Sequence, residues 1–123
     1  MNQSKRKTIL VVEDDMASCE LFKSFLASKG IETIIAENGN DAIEIVRENP
    51  DIDLVLMDIK LPELDGSSAM VEIKKIRKSL PVIAETAYAL KGDKIKFLNL
   101  GFDDYIPKPI KPDRLYNTIK KYI

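Results

Sequence analysis

At 123 residues, with 45% apolar and 32% charged residues and a formal net charge of -1, the chain has enough apolar mass for one core and too little length for two. It carries no overall charge bias toward nucleic acid or an anionic membrane surface, and no apolar run approaches the ~20 residues that span a bilayer. Histidine is absent and Cys19 is the sole cysteine, which excludes a disulfide framework, a thiolate metal cluster and imidazole general-base chemistry, so any metal must be held by oxygen.

In chain order, short apolar runs alternate with longer amphipathic ones. Residues 1–7, including the basic Lys5 to Lys7, read as an N-terminal extension, and residues 8–123 read as one domain. The first apolar run ends in acids rather than small residues, so it does not read as a signal peptide, and the chain is expected to be cytoplasmic. A strand at Thr8 to Val12 leads into a helix from about Met16 to Lys29, closed by Gly30 and expected to present Ala17, Leu21 and Phe25 on one face. Asp15 or Met16 can cap that helix. Thr33 to Ala36 reads as a second strand, Asn38 and Gly39 as a turn, and Ala42, Ile43 and Val46 as the stripe of a helix that stops before Pro50. Leu54 to Met57 is apolar without alternation, as in a strand covered on both faces. After a loop from Ile59 to Asp65, Gly66 opens a helix whose Ala69, Ile73, Ile76 and Leu80 align and which Pro81 is expected to end. A strand at Val82 to Thr86, a short helix from Asp93 to Leu100 ended by Gly101, a strand at Asp104 to Pro107 and a helix opened by Pro112 complete the chain. Five βα units in series predict an α/β fold, a doubly wound parallel sheet with helices on both faces. Pro107 lacks an N–H, which suits an edge strand.

Strands in such a sheet end together at the edge where ligands bind. Glu13, Asp14 and Asp15 follow the first strand, Asp58 the third, Glu85 and Thr86 close the fourth, and Lys108 follows the fifth. Clustered carboxylates repel unless a proton or cation lies between them, and with oxygen ligands only, Mg²⁺ is the natural candidate. Asp58 can then act as a nucleophile toward phosphorus, with Lys108 and the metal supplying positive charge and Thr86 a hydroxyl donor.

The runs ILVVEDD, LVLMDIKLPELDG, VIAETA and DYIPKP, in this order and spacing, resemble the receiver domain of two-component response regulators over essentially the whole chain. That resemblance implies a flavodoxin-like sheet in the order 2-1-3-4-5 with five helices. It implies Asp58 as phosphoacceptor, and Mg²⁺ bound by Asp14, Asp58 and the backbone carbonyl of Lys60, with Glu13 acting through water. It further implies Lys108 as the phosphate-binding lysine, Thr86 and Tyr105 as a switch pair, and a cis Lys108–Pro109 bond. The donor would be a sensor histidine kinase or a histidine phosphotransfer protein, with no direct nucleic-acid contact and no membrane insertion. The chain would be a stand-alone relay or the receiver of a hybrid kinase, a signalling domain rather than an enzyme. Output is expected through the fourth helix, fifth strand and fifth helix, with Phe97 either a contact there or packed under the following loop.

Glu85 departs from the usual neutral residue before the threonine, and would need a partner such as Lys91 or Lys111. Glu13 replaces the commoner aspartate, and Leu64 stands where methionine is frequent. Lys60 and Tyr88 flank the expected path of a hydrolytic water and offer no group to orient it, which predicts slow self-dephosphorylation. A phosphatase of the haloacid dehalogenase type would need a second aspartate where Lys60 stands. A flavodoxin would need a phosphate loop where EDDMAS stands. A receiver-like interaction module that no longer takes phosphate remains the alternative.

Overall fold

A computed structural model of the chain describes residues 6–60, 65–87 and 93–123, of which 93–95 by their backbone only. Its elements are β1 (Thr8–Val12), α1 (Met16–Ser28), β2 (Glu32–Ala36), α2 (Gly39–Glu48), β3 (Leu54–Asp58), α3 (Gly66–Ile76), β4 (Val82–Thr86), α4 (Asp93–Leu100), β5 (Asp104–Pro107) and α5 (Pro112–Lys120). The strands form one parallel sheet in the order β2-β1-β3-β4-β5, so Pro107 does lie on an edge strand. The three central strands are buried at every position, which explains their apolar runs without alternation.

Period-two alternation sorts the core into two layers. Ile9, Val11, Leu54, Leu56, Ile83 and Ile106 point to α1 and α5, where they meet Phe22, Leu26, Leu115 and Ile119. Leu10, Val12, Val55, Met57, Val82 and Ala84 point the other way, toward α2, α3 and α4. Each fully buried side chain of this size contributes about 1.5–3 kcal/mol, so both layers are needed to hold the strand ends in register. Among the described residues no helix is long and apolar enough to cross a membrane.

Three local expectations are corrected, and a fourth, left open, is decided. The buried stripe of α1 is Cys19, Phe22 and Leu26, while Leu21 is 73% exposed, Ala17 is exposed and Phe25 is half-buried. Both stripes fit helical spacing, and the sheet, not the helix, selects between them. Asn38 and Gly39 begin α2 rather than form a separate turn, since the Asn38 side chain accepts from the Asp41 N–H. Helix α3 stops at Ile76, short of Leu80. Arg77 is already extended, and its side chain donates to the Ile52 carbonyl at 2.7 Å. Lys74 holds the segment that follows, donating to the Leu80 carbonyl and to Asp103, which also accepts from the Val82 N–H. Leu80 is buried all the same, delivered by this turn instead of by a helix face. Of the two alternatives for Phe97 the structure takes the packed one: it is 5% exposed, edge-on to Phe102 and 6.2 Å from the Tyr105 ring, and so belongs to the core.

Gly30 and Gly101 have φ of 74° and 120°, the left-handed region that glycine enters freely, and each closes a helix as the sequence implies. Gly66 is required for a different reason. A Cβ there would lie 2.4 Å from the Asp58 carbonyl oxygen, so the start of α3 rests directly on the end of β3. The Lys108–Pro109 bond is cis.

Candidate functional site

The site grows out of the α1/α5 rows of the sheet. Continuing each row by one step, Val11 leads to Glu13, Leu56 to Asp58, Ile83 to Glu85 and Ile106 to Lys108, so alternation sends four charged residues to one face at the carboxyl edge. Register places Asp58 beside Glu85 and Glu85 beside Ile106. Asp15 caps α1 by accepting from the Ser18 N–H, which pins the β1–α1 turn, and Glu13 accepts from the Asp15 N–H.

Glu13, Asp14 and Asp58 each offer an oxygen within 4.8 Å of the others, Glu13 and Asp58 being buried and Asp14 exposed. Asp58 Oδ1 accepts from the Lys60 N–H at 3.0 Å, and Asp58 Oδ2 accepts from Lys108 Nζ at 3.1 Å. Lys108 Nζ also lies 3.9 Å from Glu13 Oε1. Burial raises the Glu13 carboxyl above its ordinary value, with Asp58 adding to the rise against the Asp15 N–H and Lys108. Burial alone would lower Lys108, but its bond to Asp58 and the nearby acidic charges overcome this and raise it. The donors suit a hard cation: all are carboxylate oxygens, and Glu13 Oε1 is buried with no hydrogen-bond partner among the described residues.

Thr86 and Tyr105 lie in the opposite rows, on the side covered by α4. Thr86 is buried and next to Pro107 in register, and Tyr105 is half-buried beside Ala84 and Phe97. Tyr88, Leu64 and Lys91 lie outside the described residues. Cys19 is buried, its thiol donates to the Glu13 carbonyl, and burial raises it, so it serves packing.

Glu85 is the residue whose position sequence reasoning underrated. It is fully buried, and both carboxylate oxygens lack a hydrogen-bond partner among the described residues. Of the anticipated lysines, Lys91 lies outside the described residues and Lys111 does not bond to it; the described lysine whose charge reaches it is Lys108. Burial, then the Glu13 charge, push its carboxyl up to about 8, with Lys108 opposing and Asp58 adding. Strand counting could have found this, because Glu85 follows Ile83 by two and stands beside Asp58.

The response regulator receiver domain model matches residues 9–120. A polar-differentiation response regulator, DivK, from Brucella anthropi is 40% identical over 95% of this chain and 96% of its own length. A hybrid signal transduction histidine kinase of Dictyostelium discoideum is also 40% identical over 94% of this chain, which spans 7% of that protein. Among solved structures, the receiver domain of a sensor histidine kinase from Pseudomonas aeruginosa, with magnesium coordinated in its active-site cleft, superimposes with a TM-score of 0.86 at 33% identity, covering 96% of this chain and 98% of that one.

Proposed function

This chain belongs to the response regulator receiver domain family of two-component signalling, and from that premise we propose that Asp58 accepts a phosphoryl group from a phosphohistidine of a sensor histidine kinase or histidine phosphotransfer protein. The observation that carries this reading is the pairing of Asp58 Oδ2 with Lys108 Nζ at 3.1 Å beside the carboxylates of Glu13 and Asp14.

A carboxylate oxygen of Asp58 forms the new O–P bond as the P–N bond to the donor imidazole breaks. Lys108, already at Asp58, meets the charge that develops on the phosphoryl oxygens, at a site where burial limits screening by water. Glu13, Asp14, Asp58 and the Lys60 carbonyl are the proposed holders of Mg²⁺, which when bound supplies a second positive charge for the transferring group. The Lys60 N–H orients Asp58 from the opposite side to Lys108. Thr86 offers a hydroxyl to a phosphoryl oxygen, and Tyr105, on the same sheet face, follows its movement. Through Phe97 and Tyr105 the change reaches the surface of α4, β5 and α5. Residues 8–123 form the receiver, acting in the cytoplasm without direct nucleic-acid contact.

The test is phosphorylation from acetyl phosphate or a phosphorylated kinase in Mg²⁺. The wild-type chain takes up acid-labile phosphate and Asp58→Asn takes up none, while its circular dichroism is unchanged. Undiminished labelling of the variant would end this reading and favour an interaction module that no longer uses phosphate.

A further inference from the structure

A cavity of about 630 Å³ opens between α1 and α5, within the usual range for small-molecule sites. Its walls are apolar, with Leu21, Phe22 and Phe25 from α1 and Leu115 from α5, and its lining includes Glu13 and Glu85. Of the four buried side-chain polar atoms without a hydrogen-bond partner among the described residues, three are on these two carboxylates: Glu13 Oε1, Glu85 Oε1 and Glu85 Oε2. A buried acceptor left unmade is costly, and what it lacks is a donor. Lys108 also lines the cavity, but its ammonium bonds to Asp58 and leaves both Glu85 oxygens without a partner among the described residues.

We propose that this cavity is a binding site for a small organic monocation, a protonated amine on an apolar body, with the ammonium donating to Glu85 and Glu13 and the body lying among Leu21, Phe22, Phe25 and Leu115. The charge pattern selects the class. An anion would meet two carboxylates, and a neutral apolar molecule would leave all three acceptors unsatisfied. A bare cation would satisfy the carboxylates but leave the apolar walls uncovered, including Leu21 at 73% exposure. The site does not require phosphate on Asp58; it shares Glu13 with the proposed Mg²⁺ holders, but Glu85 is not among them, so the contact to Glu85 is tested apart from the phosphoacceptor reading.

The probe is 2-phenylethylamine, titrated at pH 8.5, where Glu85 is ionised and the amine still protonated, into the unphosphorylated full chain with backbone and methyl NMR shifts as readout, beside the neutral isostere 2-phenylethanol and the anion phenylacetate. The amine is expected to shift the signals of Leu21, Phe22, Phe25 and Leu115, to bind about tenfold or more tighter than the alcohol, and to keep a Glu85-dependent preference over the alcohol in saturating Mg²⁺, which competes for Glu13 and not for Glu85. Glu85→Gln, which keeps the shape and removes the charge, should weaken the amine about tenfold and leave the alcohol unchanged. Ser24→Trp, at the exposed cavity mouth away from the carboxylates, should weaken both. Equal binding of amine and alcohol, an unchanged affinity in Glu85→Gln, or no binding at all would overturn the proposal. So would shifts centred on Asp14 and Asp58 that Mg²⁺ abolishes, which would place the amine in the acidic cluster instead.

Discussion

Replacing Glu85 by glutamine should convert a pH-dependent stability into a flatter one. The Glu85 carboxyl titrates at about 8 in the folded chain against 4.5 when unfolded. An acid whose folded value is raised holds its proton more tightly in the native state. Its contribution is therefore complete below pH 4.5 and is lost as pH rises toward 8. Across that window the native state binds one proton more than the unfolded state, so stability falls by about 1.4 kcal/mol per pH unit from this group alone. The loss reaches about 3 kcal/mol by pH 7 and about 4 kcal/mol by pH 8, an upper bound because buried charges draw in water and partners. Glutamine fills the same volume and does not ionise, so it differs from the wild type by a constant offset plus this changing difference. Urea unfolding of both chains in chelator, at intervals from pH 4.5 to 8.5, measures it. The difference between the two should be flat at the acid end and grow in favour of Glu85→Gln as pH rises. A difference that stays flat to pH 8 would refute the reasoning, since Glu85 would then be ionised in the fold and satisfied by a partner.

Removing Asp14, the exposed member of the carboxylate cluster, should cost little stability but weaken Mg²⁺ binding by about 10–100-fold or more, read by calorimetric titration of Asp14→Ala, and should suppress phosphorylation. Gly66→Ala should destabilise by about 1–3 kcal/mol in urea melts and also slow phosphorylation, because the added methyl pushes on the Asp58 backbone; an unaffected phosphorylation rate would show that α3 shifts instead. Loss of acid-labile phosphate from the wild type should be slow, and the double variant Lys60→Asn with Tyr88→Ala should speed it; an equal or slower rate would remove the shielding argument.

The order of elements and the residues at the strand ends were legible in the sequence, because both rest on local chemistry. Glycine at positive φ, proline at helix starts and apolar runs of strand length act within a few residues. The convergence of Glu13, Asp58 and Lys108 follows once the strands are taken as parallel neighbours, since alternation then sends their side chains to one face. Packing decided what local pattern left degenerate. In α1 two stripes have equally good helical spacing, and only the sheet beneath buries Cys19, Phe22 and Leu26 while leaving Leu21 to solvent. Leu80 reaches the core from a turn because Arg77 bonds to the Ile52 carbonyl 25 residues back and Lys74, which holds the Leu80 carbonyl, also reaches Asp103 29 residues on, contacts that no window along the chain contains. Phe97 is buried because Phe102 and Tyr105 close over it from beyond the helix. That Glu85 has no hydrogen-bond partner among the described residues is tertiary in the same sense. Its charge and place in the strand are written locally, but the cost of burying it depends on which donors the rest of the fold brings within reach.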